Sequence, residues 1–272
     1  MSRNPITECL SVISNVAFVV GDIGDQTVAE QLVKTAVDKF GRIDTLVNNA
    51  GIGKLGSFQD APIADYDAVF NTNVRSVIVL TKLAIPHIIA TKGTIVNVSS
   101  VAGIVSDTYY YNTYYYNTAP YNLGPVGMSP GSGYYSMSKS ALDQFTKILC
   151  LEMAPHGVRV NSVNPAMIPT PILQAMGFSK EEASKKQSDI CTKRSQIFIE
   201  YVEDWQRFDI IDNGIQSILY EIVEDSKRLH ALGRPGTVEE CAKAIFFLAG
   251  QDSTFTTGQL LKVDGGYVLM RP

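Results

Sequence analysis

Gly93-Thr94-Ile95-Val96-Asn97-Val98-Ser99-Ser100 decides the fold. It is a short β-rich run that opens after a glycine and closes on a serine pair, and its apolar residues are nearly continuous instead of alternating. That is the pattern of a strand buried on both faces. Helical spacing flanks it, from about Ala64 to Ala90 upstream and from about Tyr135 to Ala154 downstream. Further out the alternation repeats. Val16 to Val20 and Ile43 to Val47 read as strands around a helix from Gln26 to Phe40, which carries Val28, Leu32, Ala36 and Phe40 on one face before Gly41 stops it. Val158 to Val163 and Leu260 to Val263 read as strands around a helix from Thr237 to Ala249. Strands alternating with helices predict an α/β fold, a doubly wound and mostly parallel sheet covered on both sides.

Such sheets bind ligands at the carboxyl ends of their strands. Asp22, Asn49-Ala50-Gly51, Ser100 and Asn164-Pro165 fall there. On the helix after Ser100, Tyr135 and Lys139 are four residues apart and share one face, so a phenol and an ammonium can point into one site. A neighbouring cation favours a phenolate, which tunes tyrosine for proton transfer near neutrality. Taken alone, the pair suits an ordinary solvated helix equally well, and Asn49-Ala50-Gly51 suits a tight turn without a ligand.

Six ordered segments resolve the ambiguity. Val47-Asn48-Asn49-Ala50-Gly51, Asn71-Thr72-Asn73-Val74, Gly93 to Ser100, Tyr135-Ser136-Met137-Ser138-Lys139, Val158 to Pro165 and Gly258 to Gly266 together resemble the short-chain dehydrogenases/reductases. The resemblance implies one Rossmann-like domain over residues 1–272. It also implies hydride transfer between NAD or NADP and a small-molecule carbonyl or alcohol, with Tyr135 as acid/base. Lys139 would lower the tyrosine's pKa and hold the nicotinamide ribose. Ser100 would donate to the substrate oxygen, and Asn73 would hold a water that links Lys139 to solvent. Cofactor contacts would come from Asp22 and Ile23 at the adenine, and from Asn49, Ala50 and Gly51 at the adenosine ribose. Pro165, Ile168 and Thr170 would contact the nicotinamide. Pairing into a homodimer or homotetramer is implied as well.

Several features depart from that pattern. Twenty-one residues precede Asp22, fewer than the roughly 30 of a βαβ unit, so an N-terminally truncated fold without the first glycine-rich unit is expected. Gly127, Gly131 and Gly133 copy its glycine spacing, but Pro130 interrupts them and no strand precedes them. Insertions are expected at about 104–132, with the tandem Thr108-Tyr109-Tyr110-Tyr111-Asn112 and Thr113-Tyr114-Tyr115-Tyr116-Asn117, and at about 190–224. Ala166 stands where the family has glycine. Two other readings stay open: a catalytically inactive binding or assembly protein, and a fragment unable to bind cofactor.

The chain of 272 residues is 45% hydrophobic with a net charge of −4. No Lys/Arg cluster stands out, so nucleic acid is not an expected partner. No apolar run approaches the roughly 20 residues of a membrane span, no signal-peptide core follows Met1, and a cytoplasmic protein is expected. Cys9, Cys150, Cys191 and Cys241 are scattered, with three histidines, and no metal site is expected. Asn97-Val98-Ser99 fits the glycosylation pattern, but on a buried strand.

Overall fold

The computed structural model describes residues 16–104, 131–170, 172 and 228–270. The tyrosine-rich repeat, Gly127 and the 190–224 insertion lie outside them.

Among the described residues four parallel strands form the sheet: β1 (Thr45–Asn48), β2 (Thr94–Val98), β3 (Arg159–Pro165) and β4 (Leu260–Val263), in spatial order β1-β2-β3-β4. α1 (Gln26–Phe40) precedes them, and α2 (Ile63–Phe70), α3 (Ser76–Thr91), α4 (Gly133–Met153) and α5 (Val238–Ala249) run between them. Burial explains the layering. Ile95 of β2 and Val160 of β3 sit in one apolar cluster with Ala29 and Val33 of α1, Leu80, Ala84 and Ile88 of α3, and Leu149 and Met153 of α4. Val96 and Val163, on the opposite face, pack on Leu248, Ala244 and Ile245 of α5. This is the doubly wound Rossmann-like arrangement.

The helix ends follow local chemistry. Asp25 caps α1 by accepting from Thr27 N, and Gly41 closes it in the left-handed region at φ 77°. α5 opens with a full capping box between Thr237 and Glu240.

Three sequence expectations change. Val16–Val20 forms no strand, because a strand needs a neighbour and nothing among the described residues pairs with the outer edge of β1. The helix expected over 64–90 is two α-helices joined by a π turn at Asn71–Arg75. The joined stretch Ile63–Thr91 is long and apolar enough, by length and composition, to cross a membrane. Val77, Leu80, Ala84 and Ile88 are nevertheless buried inside the domain, as in a core helix.

Polar side chains cross the sheet beneath the site. Asn48 and Asn97 are directly opposed in register, and Asn48 Nδ2 donates to Asn97 Oδ1 at 2.8 Å. Asn97 Nδ2 passes on to Thr146 Oγ1 at 2.9 Å. Satisfied in this way, the buried amides tie β1 and β2 to α4 without the cost of unpaired polar groups. Asn97 is fully buried, which leaves no access for a glycan.

Candidate active site

The site is built where β1, β2 and β3 end and α4 crosses them. Ser100 follows β2 with extended backbone and caps the short 3-10 turn Val101–Gly103 by accepting from Ala102 N. Its hydroxyl donates to Pro165 O at 3.5 Å and acts on the Tyr135 phenol as a polar neighbour that, against the larger effect of burial, lowers its pKa. Tyr135 is partly buried on the first turn of α4. Lys139, one turn on, is 4% exposed. Its ammonium donates to Val98 O at 2.9 Å and lies 5.6 Å from the centre of the Tyr135 ring.

Burial decides the electrostatics. It pushes the Tyr135 phenol above its usual value, with the Ser100 hydroxyl pulling the other way. Burial also lowers Lys139 to about 8, against the pull of Asp143. The sequence led to the expectation that Lys139 would draw the tyrosine down. In the structure the desolvation of both groups dominates, and Tyr135 is a protonated phenol at neutral pH.

Asn73 is fully buried in the π turn, a helical irregularity that recurs at functional sites. Its Oδ1 accepts from Ile52 N at 2.8 Å, and its Nδ2 donates to Ile52 O at 2.8 Å and Ser138 Oγ at 3.0 Å. Both amide hydrogens are committed, so the side chain tethers the loop after β1 to α4. Any water on Asn73 would have to use the remaining Oδ1 lone pair or the main chain.

Gly51 closes the constellation, since a Cβ there would lie 3.4 Å from Asn73 Oδ1 and 3.5 Å from Lys139 Nζ. Asn49 and Ala50 are exposed beside it. Pro165 ends β3 opposite Val263. Ile168 packs where a side chain on Gly236 would have to go, and Thr170 is partly buried.

Asp22 stands apart from this cluster. Its carboxylate accepts from Gly24 N at 2.8 Å, and Gly24 in turn lies against Asn71 and Arg75 of the π turn. Ile23 packs into the core cluster. The structure thus brings together Ser100, Tyr135, Lys139, Asn73 and Gly51, with Pro165 at the rim, and places Asp22 beside Gly24 near the π turn and Ile23 in the core.

Two contributors went unnoticed in the sequence. Ser138 joins Asn73 to Tyr135 O, to which it donates at 2.6 Å. Asp143, 4% exposed, lies one turn beyond Lys139. A carboxylate on an otherwise apolar helix face was the available signal. Among the described residues no group of three or more His, Cys, Asp or Glu could hold a metal.

Comparison with known proteins agrees with the fold. The short chain dehydrogenase family model matches residues 2–118, and the enoyl-(acyl carrier protein) reductase model of the same kind matches 122–202 and 209–268. The chain belongs to the short-chain dehydrogenase/reductase family of oxidoreductases. It is 30% identical to the 3-oxoacyl-[acyl-carrier-protein] reductase FabG of Thermotoga maritima, over 91% of this chain and 75% of that protein. It is 31% identical to the cyclopentanol dehydrogenase of Comamonas testosteroni, over 86% of this chain and 70% of that one. Among solved structures, ElxO with NADP bound superposes with a TM-score of 0.67 at 26% identity, over 97% of this chain and 84% of its own. A short-chain dehydrogenase/reductase from Caenorhabditis elegans, solved with cofactor, gives 0.68 at 28% identity, over 97% and 81%.

Proposed function

We propose that the chain reduces a ketone to a secondary alcohol, or runs the reverse reaction, at the expense of NADH or NADPH, with Tyr135 handling the proton at oxygen. The observation that carries this is the Ser100–Tyr135–Lys139 cluster at the strand ends, with Lys139 buried and its ammonium 5.6 Å from the centre of the Tyr135 ring. The NADP-bound relative and the relatives named as dehydrogenases of cyclopentanol and of meso-2,3-butanediol support the same reading.

The residues present fit the nicotinamide half of the cofactor. An ammonium has three donors, and among the described residues Lys139 spends one on Val98 O. Two are left beside side-chain-free Gly51 for a ribose diol. Asn49, Ala50 and Gly51 would lie along the cofactor, Pro165, Ile168 and Thr170 at its carboxamide, and Asp22 and Ile23 at its adenine end. A reduced nicotinamide, when bound, supplies the hydride that forms the new C–H bond.

The protein's part is the proton. Ser100 donates to the carbonyl oxygen and steadies the charge that grows there. As the C=O π bond breaks, the Tyr135 O–H bond breaks with it, and its proton goes to that oxygen. The phenolate left behind is stabilised by the adjacent Lys139 and regains its proton from solvent. A phenol kept protonated suits the reductive direction at neutral pH, and oxidation gains as pH rises.

Nicotinamide fluorescence tests the reading. NADH or NADPH added to the purified chain should saturate below millimolar concentration, and failure of both to do so overturns the proposal.

A further inference from the structure

Asp143 has no part in the chemistry above, yet it occupies an expensive position. A buried carboxylate costs several kcal/mol unless it is paired, and apolar side chains could hold the same elements together as well. Its oxygens lie 2.9 and 3.2 Å from Asn164 Nδ2. The same amide nitrogen donates to the main-chain carbonyl of Ser100 at 2.9 Å, and Asn164 Oδ1 accepts from Ser162 Oγ at 2.7 Å. The Ser100 carbonyl can only accept, so the Asn164 amide has one orientation.

The segment around Ser100 is stitched to α4 on both sides. Ser99 Oγ donates to Lys139 O at 3.1 Å, and Ser140 Oγ donates to Gly103 O at 2.9 Å. At Gly103 a Cβ would meet Asp143 Oδ2 at 2.6 Å and the Lys139 carbonyl carbon at 2.8 Å. Here the backbone after β2 touches the helix that carries Tyr135. The charged groups facing Asp143 are Lys139 and Lys147, both on its own helix, and Asn164 and Ser99 face it from the strand ends.

We propose that Asp143 and Asn164 are a positioning pair: Asp143 orients the Asn164 amide, and Asn164 holds the Ser100 main chain so that its hydroxyl keeps its place beside the Tyr135 phenol. The pair touches neither substrate nor cofactor, and the proposal rests on the roles given above to Ser100 and Tyr135.

The test is an alkaline ultraviolet titration of the full chain without cofactor, with the same background carrying Tyr135→Phe subtracted to isolate Tyr135 from the other tyrosines. Ser100→Ala removes a polar neighbour that favours the phenolate, so Tyr135 should titrate higher. Asn164→Ala and Asp143→Ala should move it the same way. Asp143→Asn, which still offers Asn164 an oxygen, should stay with the parent. Adding Asn164→Ala to Ser100→Ala should shift nothing more. In turnover assays the two alanine variants should lose about tenfold in kcat with KM for the nicotinamide unchanged.

If Ser100→Ala raises the titration while Asn164→Ala and Asp143→Ala leave it at the parent's value, the positioning pair is overturned and the catalytic reading stands. If Ser100→Ala also leaves it unmoved, the Ser100–Tyr135 contact and the pair fall together, while the turnover of Tyr135→Phe still judges the acid/base role. Should Asn164→Ala fail to fold, the contrast between Asp143→Ala and Asp143→Asn decides.

Discussion

The Lys139 ammonium donates to the Val98 main-chain carbonyl at 2.9 Å, so the cation is anchored to the end of β2 independently of any ligand. The anchor sets its height beside Tyr135 and costs the fold stability, because a charge is kept out of water.

That cost is measurable. With Lys139 lowered to about 8 from 10.5, both folded and unfolded chains carry the charge below pH 8, and the penalty is fully present. Between pH 8 and 10.5 the folded chain sheds its proton first, and stability climbs with pH. Lys139→Met should therefore raise the stability at pH 7 by about 1–2 kcal/mol, less than the full shift because Val98 O loses its donor. The gap should narrow toward pH 10 in urea unfolding, and nicotinamide binding should be lost.

Tyr135→Phe keeps the ring and removes the proton. Turnover should fall by about 10²–10⁴, with the fluorescence titration of the cofactor nearly unchanged. Turnover equal to the parent's would sink the acid/base assignment.

Gly51→Ala places a methyl 3.4–3.5 Å from Asn73 Oδ1 and Lys139 Nζ. Contacts of that length are tolerated by the fold, so the melting temperature should hold. The methyl covers the ammonium donors that would face a ribose, and nicotinamide affinity should drop about tenfold, roughly 1.4 kcal/mol. Parallel titration and calorimetry separate the two effects.

Thr237→Ala removes half of the α5 capping box and should cost about 1 kcal/mol. Its partner Glu240 is lowered to about 2, chiefly by its hydrogen bond from Arg234. That stabilisation is present above the unfolded value near 4.5 and fades as pH falls toward 2. Because the Glu240 side chain is 38% exposed, solvent screening holds it to about 0.5–1 kcal/mol. Glu240→Gln should match the parent at pH 2 and lag behind it at pH 6.

Much of the fold was legible because β2 and its neighbours carry unbroken apolar runs, and a strand buried on both faces leaves that trace. Val16–Val20 carries the same trace without becoming a strand, since pairing depends on a neighbour that local pattern does not report. The π turn at Asn71–Arg75 has neither glycine nor proline to announce it. The Tyr135/Lys139 pair was legible from spacing on one helix. The direction of the Tyr135 shift was not, because burial sets it and burial comes from segments distant in sequence. Asp143 and Asn164 meet across 21 positions, and an amide inside a strand leaves no periodic signature.

The π turn carries an arithmetic of its own. Each residue of an α-helix advances about 100° around the axis, so the widened turn dephases α2 from α3 by roughly one residue. A single deletion within Asn71–Arg75 would restore an unbroken hydrogen-bond ladder and give a more regular helix. It would also swing either Asn73 away from Ile52 or the Leu80–Ala84–Ile88 stripe away from the sheet. This stretch cannot accept a change in length, and its residue count is as much a part of the site as any side chain it bears.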